Sequence, residues 1–196
     1  MKRTIAVLAL LAALCAPVPA QDKDKTGKIK IDDDQNYLVL STKRIQTMEK
    51  ELDDVASRGF RVLYAAPTAQ YDMALLLTRA QQEGGAEPYR YRILATSRNK
   101  TMEKELNEAA RDGYRLLPRT IVYKQGFFTA EMVMVMERVP RSNKSYEYKL
   151  VRATKETSLH RKIEEAGALG FVPITMVIIG EHVIVTEKET EQKAGR

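Results

Sequence analysis

Apolar residues recur along this chain with two periods, one typical of strands and one typical of helices. Beginning at Tyr37, Tyr91 and Tyr148, apolar side chains alternate with their neighbours, which predicts three short strands. After each of them, apolar residues recur at i, i+4, i+7 and i+8, which predicts an amphipathic helix with one buried face. The predicted buried positions are Met48, Leu52, Val55 and Ala56; Met102, Leu106, Ala109 and Ala110; and Leu159, Ile163, Ala166 and Gly167.

Each helical pattern ends at a glycine followed by an aromatic residue. A glycine is favoured there because it adopts left-handed backbone angles without a Cβ penalty. These pairs are Gly59-Phe60, Gly113-Tyr114 and Gly170-Phe171, and the predicted N-caps are the hydroxyl residues Thr47, Thr101 and Ser158. Two further strands follow each glycine, over 61–66 and 72–78, 115–123 and 128–137, and 172–178 and 182–187.

Nearly the same seventeen residues occur twice, TMEKELDDVASRGFRVL from Thr47 and TMEKELNEAARDGYRLL from Thr101, at an offset of 54. A more diverged third copy follows at an offset of 57 from the second. This self-similarity predicts an α+β fold of three tandem β-α-β-β repeats, each a three-stranded antiparallel sheet with one helix. The last strand of each copy is apolar on both faces, so we expect neighbouring copies to cover one another and form one compact body.

Two short motifs resemble a known family. Tyr146-Glu-Tyr-Lys-Leu-Val151 and Leu106-Asn-Glu-Ala-Ala110, the latter followed by Gly113 and an aromatic, are similar to a small bacterial βαββ domain family of unknown function. Its members read YEYKVV and LNELGxxGWELV, and three copies would cover most of the mature chain. The resemblance implies a fold and no catalytic group. The chain departs from the family pattern at Asp53 and Glu164, where the family favours asparagine, and at Phe60, Tyr114 and Phe171, where it has tryptophan.

The first twenty residues have the layout of a secretory signal peptide. Lys2 and Arg3 precede an apolar run over 5–14, and small residues then predict cleavage between Ala20 and Gln21. Bulky Leu14 directly before Cys15 argues against a lipoprotein. We therefore expect a periplasmic or secreted protein, with no transmembrane segment and no cysteine in the mature chain.

The predicted organisation follows from the copies and the composition between them. It comprises a signal peptide at 1–20, a disordered charged linker at 21–35, repeats at 36–80, 89–139 and 146–188, and a disordered tail at 189–196. The net charge is +6, and removal of Lys2 and Arg3 with the signal peptide lowers it to +4. This mild excess of basic residues gives only weak support for an anionic partner.

Basic residues precede all three predicted helices. The free N–H groups and the dipole of a helix N-terminus favour anions, so these loops suggest a module that binds anions or envelope polymers. Nearby carboxylates at Glu49, Glu103 and Glu156 reduce that field. The candidate anion-binding residues are Lys43, Arg44, Arg98, Lys100, Arg152 and Lys155.

The sequence carries no common enzyme signature. His160 and His182 have no partner at a catalytic spacing, and HExxH, CxxC, GxSxG and phosphate-binding glycine loops are absent. We predict no catalytic, cofactor or metal site, and interpret Met132, Met134 and Met136 as packing residues rather than ligands of a soft ion such as Cu(I).

The first functional hypothesis is therefore an exported, non-catalytic interaction or scaffold protein. Its partner would be a protein or an anionic envelope component, with no specific nucleic acid. The alternatives are the anion-binding module and an enzyme with its site between repeats.

Overall fold

The computed structural model describes residues 28–42, 44–68, 73–80, 87–96, 99–125, 130–178 and 180–191. Three helices and three antiparallel sheets fall into three successive units. Unit 1 (37–79) contains β1 Tyr37–Thr42, α1 Ile45–Ser57, β2 Phe60–Pro67 and β3 Met73–Arg79. Unit 2 (90–138) contains β4 Arg90–Thr96, α2 Asn99–Arg111, β5 Arg115–Leu116, a 3-10 helix Pro118–Thr120, β6 Val122–Gln125 and β7 Ala130–Arg138. Unit 3 (144–191) contains β8 Lys144–Ala153, α3 Glu156–Ala168, β9 Val172–Ile178 and β10 His182–Glu191.

The last strand of every unit lies at the centre of its sheet. The strand orders are β1-β3-β2, β4-β7-β5 with β6 also on β7, and β8-β10-β9, and every pairing is antiparallel. A central strand has a neighbour on both edges and can be covered on both faces, which accounts for its apolar residues on both sides. In β7 the five residues from Met132 to Met136 are all buried.

The second sheet differs from the prediction. A single strand was expected over 115–123, but β5 stops at Leu116 and a 3-10 helix separates it from β6. Pro118 begins that 3-10 helix and has no backbone N–H to donate to a ladder, so the strand breaks there. The sheet of unit 2 therefore has four strands instead of three.

The helices begin two residues before the predicted caps. The amides of Thr47 and Met48 already donate to the carbonyl of Arg44, at 3.1 and 3.0 Å, so Thr47 lies within the first turn of α1. The N-cap positions are Arg44 for α1 and Lys155 for α3, and neither forms a side-chain capping hydrogen bond. The predicted caps at Thr47 and Ser158 are therefore wrong, and Thr101 likewise lies inside α2.

The core is shared between units. One cluster joins α1 and one face of the first sheet to Tyr91, Ile93, Val122, Val133 and Val135 of unit 2. A second cluster joins α2 and the opposite face of the second sheet to Tyr146, Tyr148, Val183 and Val185 of unit 3. A third cluster lies between α3 and the last sheet. Each unit thus covers the one before it, as the apolar pattern of the last strands predicts.

The end of each helix is held by one arrangement. Gly59, Gly113 and Gly170 have φ of 85°, 84° and 85°, so the chain turns in the left-handed region. The aromatic residue that follows packs beneath a cationic side chain from the central strand, an arrangement that favours cation–π attraction. The centroid distances are 4.8 Å for Arg79 over Phe60, 5.7 Å for Arg138 over Tyr114 and 5.8 Å for Lys188 over Phe171.

The segment before β1 packs against unit 1. Ile29, within the predicted linker, is buried in the first cluster, and its carbonyl accepts a hydrogen bond from Arg58 Nη1 at 2.8 Å. The Arg79 guanidinium donates to the carbonyl of Gln35 through Nε at 2.9 Å. At the other end of the chain, β10 extends to Glu191, into the predicted tail. The predicted signal peptide, with its cleavage site at Ala20 and Gln21, lies outside the described residues.

Candidate functional site

Of the six predicted anion-binding residues, Arg44, Arg152 and Lys155 have described side chains. Lys43 and Arg98 lie outside the described residues, as does the side chain of Lys100. Arg44 and Lys155 are exposed at the starts of α1 and α3. Arg152 forms an ion pair with Glu181 in its own unit, so much of its charge is neutralised locally.

The contact between units 1 and 2, called joint 1–2, is built around a buried carboxylate. Arg61 donates to Glu137 through two nitrogens, Nε to Oε2 at 2.9 Å and Nη2 to Oε1 at 2.7 Å. Tyr91 also donates to Glu137 Oε2, at 3.0 Å, and its oxygen accepts the backbone N–H of Val62 at 3.1 Å. The Arg61 guanidinium lies 4.6 Å from the ring centroid of Tyr89. A bidentate pair of this kind fixes orientation as well as distance.

The contact between units 2 and 3, called joint 2–3, repeats this arrangement. Arg115 Nη2 donates to Glu187 Oε1 at 2.8 Å, and Tyr148 donates to Glu187 Oε2 at 2.8 Å. The oxygen of Tyr148 accepts the backbone N–H of Leu116 at 2.8 Å. Arg115 in turn lies 4.8 Å from the ring centroid of Tyr146.

The residues of the two joints occupy corresponding positions. Arg61 and Arg115 are each the second residue after the helix-ending glycine. Glu137 and Glu187 are the cross-strand partners of Tyr91 and Tyr148 in their respective sheets.

The joints perturb the ionisation of their own groups. Burial, together with the neighbouring Glu137 carboxylate, raises the pKa of the Tyr91 phenol above its usual value. The Tyr148 phenol has its pKa raised for the same reasons beside Glu187. The hydrogen bond to Glu137 raises the pKa of Arg61, so the guanidinium remains charged. Both phenols therefore keep their proton near neutral pH and can donate it to the carboxylates.

Helices α1 and α2 also reach the first strand of the following unit. Glu49 Oε1 accepts the backbone N–H of Ile93 at 2.8 Å, and Glu103 Oε2 accepts that of Leu150 at 2.8 Å. Strands β4 and β8 are edges, whose outward backbone groups would otherwise lack a partner. The sequence alone indicates for these glutamates only an effect of their charge near the helix start. Their recurrence in TMEKEL is the signal that could have identified them.

The three units meet at an open groove. Its volume is about 460 Å³, and its described lining comprises Leu63, Leu117, Pro118, Arg119, Ile174 and Thr175. Leu63, Leu117 and Ile174 are each the fourth residue after the helix-ending glycine, one from each unit. The groove therefore presents three apolar side chains from corresponding positions.

Local irregularities in the strands place these three side chains in the groove. The β2–β3 register shifts between Val62 and Tyr64, which leaves Leu63 without a partner in the ladder. In the β9–β10 ladder, Pro173 pairs with Thr186 and Thr175 pairs with Val185, so Ile174 likewise has no partner in the ladder. Leu117 follows directly after β5 and precedes the 3-10 helix. A β-bulge re-aims the side chain it carries, and such irregularities occur often beside functional sites.

One cation lies at the groove. Arg119 donates through Nη1 to the hydroxyl of Tyr64 at 2.7 Å, and its guanidinium carbon lies 5.1 Å from that ring centroid. Arg119 is exposed, so further donors of the guanidinium face solvent. Among the described lining residues it is the one charged group, and there is no acid. The groove is therefore apolar with a positive rim.

A second groove lies between α2 and β8. Its volume is about 470 Å³, and its described lining is polar and of mixed charge: Glu103, Lys104, Asn107, Arg111, Tyr146 and Glu147. Glu103 and Asn107 hydrogen-bond the backbone of β8. Two of its polar groups are thus already used to hold unit 3 on unit 2.

Comparison with protein families, with curated proteins and with solved structures gives no match. Within the described ranges, no helix is long and apolar enough to span a membrane. In the same ranges, no three His, Cys, Asp or Glu side chains converge as metal ligands would. Met132, Met134 and Met136 lie in the second core cluster, packed with apolar neighbours.

Proposed function

We propose that this chain is an exported, non-catalytic interaction scaffold, periplasmic or secreted. In this proposal three tandem repeats form one body and hold an apolar segment of a protein partner in the groove between them. The leader-like residues 1–20 and the resemblance to a βαββ domain family support export and repetition. The recurrence of the same joint at Arg61–Glu137 and Arg115–Glu187 supports the repeat.

The observation that carries the binding proposal is the composition of the groove. It receives one apolar side chain from each unit, Leu63, Leu117 and Ile174, and each lies outside a regular strand ladder. Packing in a core does not require three side chains from three units to converge on an open surface. Apolar clefts with a few oriented polar groups are typical of binding sites.

The buried polar groups support a scaffold instead of a catalyst. Four polar residues are buried in the described part of the chain, and all four are hydrogen-bonded within it. Glu137 and Glu187 belong to the joints, Thr120 bonds the backbone of Leu117 and Val135, and Thr186 Oγ1 donates to the carbonyl of Lys149. These groups are engaged in holding strands and units together.

The chemistry of the groove defines the partner. An extended segment would place apolar side chains against Leu63, Leu117 and Ile174 and a carboxylate within reach of the Arg119 guanidinium. Stacking on Tyr64 holds Arg119 in place before the partner arrives, which lowers the entropy lost on binding. The preferred partner is thus a peptide segment with apolar residues beside an acidic residue.

The experiment compares two matched substitutions. Leu63→Asp places a charge in the groove at a position that is partly exposed and outside the strand ladder. Val139→Asp places the same charge on a valine 40% exposed between units 2 and 3, which is not among the described lining residues. Thermal unfolding first establishes that both variants fold as the parent does.

Each immobilised protein is then exposed to envelope extract, and bound proteins are identified by mass spectrometry. Proteins retained by the parent and by Val139→Asp but lost by Leu63→Asp are the expected result. Arg119→Glu should weaken binding of acidic segments found this way and leave the fold intact. Equal capture by the parent and Leu63→Asp would contradict the groove as the binding site.

A further inference from the structure

Both ends of the row of units expose apolar side chains. The outgoing surface of unit 3, where a following unit would dock, consists of Gly167, Val172, Pro173, Met176 and Ile178. Of these, Val172, Met176 and Ile178 are 62%, 53% and 67% exposed. The incoming surface of unit 1, where a preceding unit would lie, consists of Tyr37, Val39 and Thr78. Tyr37 and Val39 are 63% and 57% exposed.

These two surfaces correspond to the two sides of the joints inside the chain. Val172 is the second residue after Gly170, the position that Arg61 and Arg115 hold in units 1 and 2. Thr78 is the cross-strand partner of Tyr37, the position that Glu137 and Glu187 hold in units 2 and 3. The arginine is missing on the outgoing surface of unit 3, and the glutamate is missing on the incoming surface of unit 1.

The outgoing surface differs from a surface meant to face water. End units of repeat arrays are ordinarily capped by polar residues, which keep the array soluble. Here valine stands at the position of two arginines and is largely exposed. Gly167 takes the helix position of the buried Ala56 and Ala110, and among the described residues nothing lies within 4 Å of where its Cβ would be. The surface is apolar and open.

Pro173 indicates how an occupant would dock. In units 1 and 2 the corresponding residues, Val62 and Leu116, donate a backbone N–H to a tyrosine of the next unit. Proline has no backbone N–H, so Pro173 does not require a tyrosine hydroxyl of the occupant as a hydrogen-bond acceptor. Proline on the edge strand β9 also disfavours addition of a further strand there. The occupant would therefore pack through side chains.

We propose that unit 1 of a second copy of this chain docks on unit 3, head to tail, through these two surfaces. The inference rests on the proposed repeat scaffold. In the resulting joint Val172 faces Thr78, where the internal joints have an arginine and a glutamate. A glutamate in place of Thr78 would be buried against valine without a partner, which is strongly unfavourable. The paired loss of both charges leaves the two ends complementary. Because the contact is heterologous, it produces a ring or an open row of copies.

The test uses charge pairs that the chain already accommodates. Val172→Arg and Thr78→Glu each introduce the residue found at the corresponding place of an internal joint, so both variants are expected to fold. The chains are purified from an exporting host, and mass spectrometry identifies their N-terminus. The mass of the associated particles in solution is then measured by sedimentation over a wide range of protein concentration. Val139→Arg, an exposed valine outside both surfaces, is the matched control.

The parent and the control should self-associate, and each single variant should associate at least about tenfold more weakly, equivalent to about 1.4 kcal/mol. An equimolar mixture of the two variants should regain association, because the arginine introduced in one copy meets the glutamate introduced in the other, as Arg115 meets Glu187. A parent that stays monomeric, or a mixture no larger than its components, overturns the proposal. Loss of partner capture in Leu63→Asp would still support the scaffold in that case, so the two failures are distinguishable.

Discussion

The side-chain amide of Asn107 in α2 forms two hydrogen bonds with the backbone of Tyr148 in β8. Oδ1 accepts the Tyr148 N–H at 2.9 Å, and Nδ2 donates to the Tyr148 carbonyl at 2.8 Å. The amide thus pairs with the edge of β8 as a neighbouring strand would.

Replacement of this amide by a carboxylate should weaken the contact between units 2 and 3. Asn107→Asp removes the donor and places a negative charge beside a carbonyl oxygen, so we expect the free energy of unfolding to fall by about 1–3 kcal/mol. Asp53→Asn makes the reverse change at the corresponding position of α1, which is exposed, and should not destabilise. Urea unfolding of both variants measures the difference, and equal effects would contradict the role of Asn107.

The hydroxyl of Tyr148, which lies in a joint, should contribute far more to the free energy of unfolding than the exposed hydroxyl of Tyr37. Tyr148→Phe leaves the Leu116 N–H without its acceptor and removes one of the two donors to Glu187 Oε2, at an expected cost of about 1–3 kcal/mol. Tyr37→Phe removes a hydroxyl from the corresponding residue of unit 1, which is 63% exposed, and should change stability by less than about 0.5 kcal/mol. Thermal unfolding at low protein concentration, where copies are separate, compares the two.

The ion pair of a joint should show strong coupling in a double-mutant cycle. Arg115→Met leaves a carboxylate that is only 6% exposed, whereas Arg115→Met with Glu187→Gln removes both charges. We expect the double variant to be more stable than the sum of the single effects predicts, by about 1–3 kcal/mol. The exposed pair Arg161–Glu165 in α3 is the control, with coupling near or below about 0.5 kcal/mol. Coupling energies of equal size in both cycles would contradict a special contribution of the Arg115–Glu187 pair to the contact between units 2 and 3.

Stability should decrease at alkaline pH because of the buried phenols. The pKa of Tyr91 and of Tyr148 is higher in the folded chain than the unfolded value of about 10. Their contribution is complete below that unfolded pKa and is lost as pH rises above it, because only the unfolded chain then releases the protons. The expected slope is about 1.4 kcal/mol per pH unit for each phenol. Tyr148→Phe should reduce this slope by about half, and an unchanged slope would contradict the assignment.

Two glycines should respond to alanine in opposite directions. Gly113 has φ of 84°, which disfavours a Cβ, so Gly113→Ala should destabilise by about 1–2 kcal/mol. Gly167 lies within α3 with open space around it among the described residues, so Gly167→Ala should stabilise by up to about 1 kcal/mol. Chemical unfolding of both variants gives the sign directly.

Local periodicity was enough to predict the helices and the buried faces of α1 and α2, whereas in α3 the prediction was wrong for Gly167, which is exposed. Met48, Leu52, Val55 and Ala56 are buried as expected, because a helical period places them on one side. The helix-ending glycines were equally clear, since few other residues adopt their backbone angles. The starts of the helices were not, because a hydroxyl such as that of Thr47 is compatible with the first turn as well as with the cap.

Features that depend on contacts between units could not be predicted from local patterns. Glu49 and Glu103 resemble ordinary exposed helix charges until the next unit is in place. The groove was missed because Leu63 and Ile174 enter it through register shifts, and the register of a strand is set by its partner. The break at Pro118 was overlooked within an otherwise strand-like run.

The central place of the last strand affects the order in which the units assemble as the chain is synthesised. The first strand of a unit cannot pair until the last strand of the same unit has been synthesised. For example, β4 pairs with β7 and not with β5, the next strand along the chain. Unit 1 is complete by then, and its Glu49 carboxylate and Val62 N–H already offer hydrogen-bonding sites to which β4 can attach. Each finished unit therefore serves as a template for the next, and assembly is expected to advance in one direction, from the N-terminus.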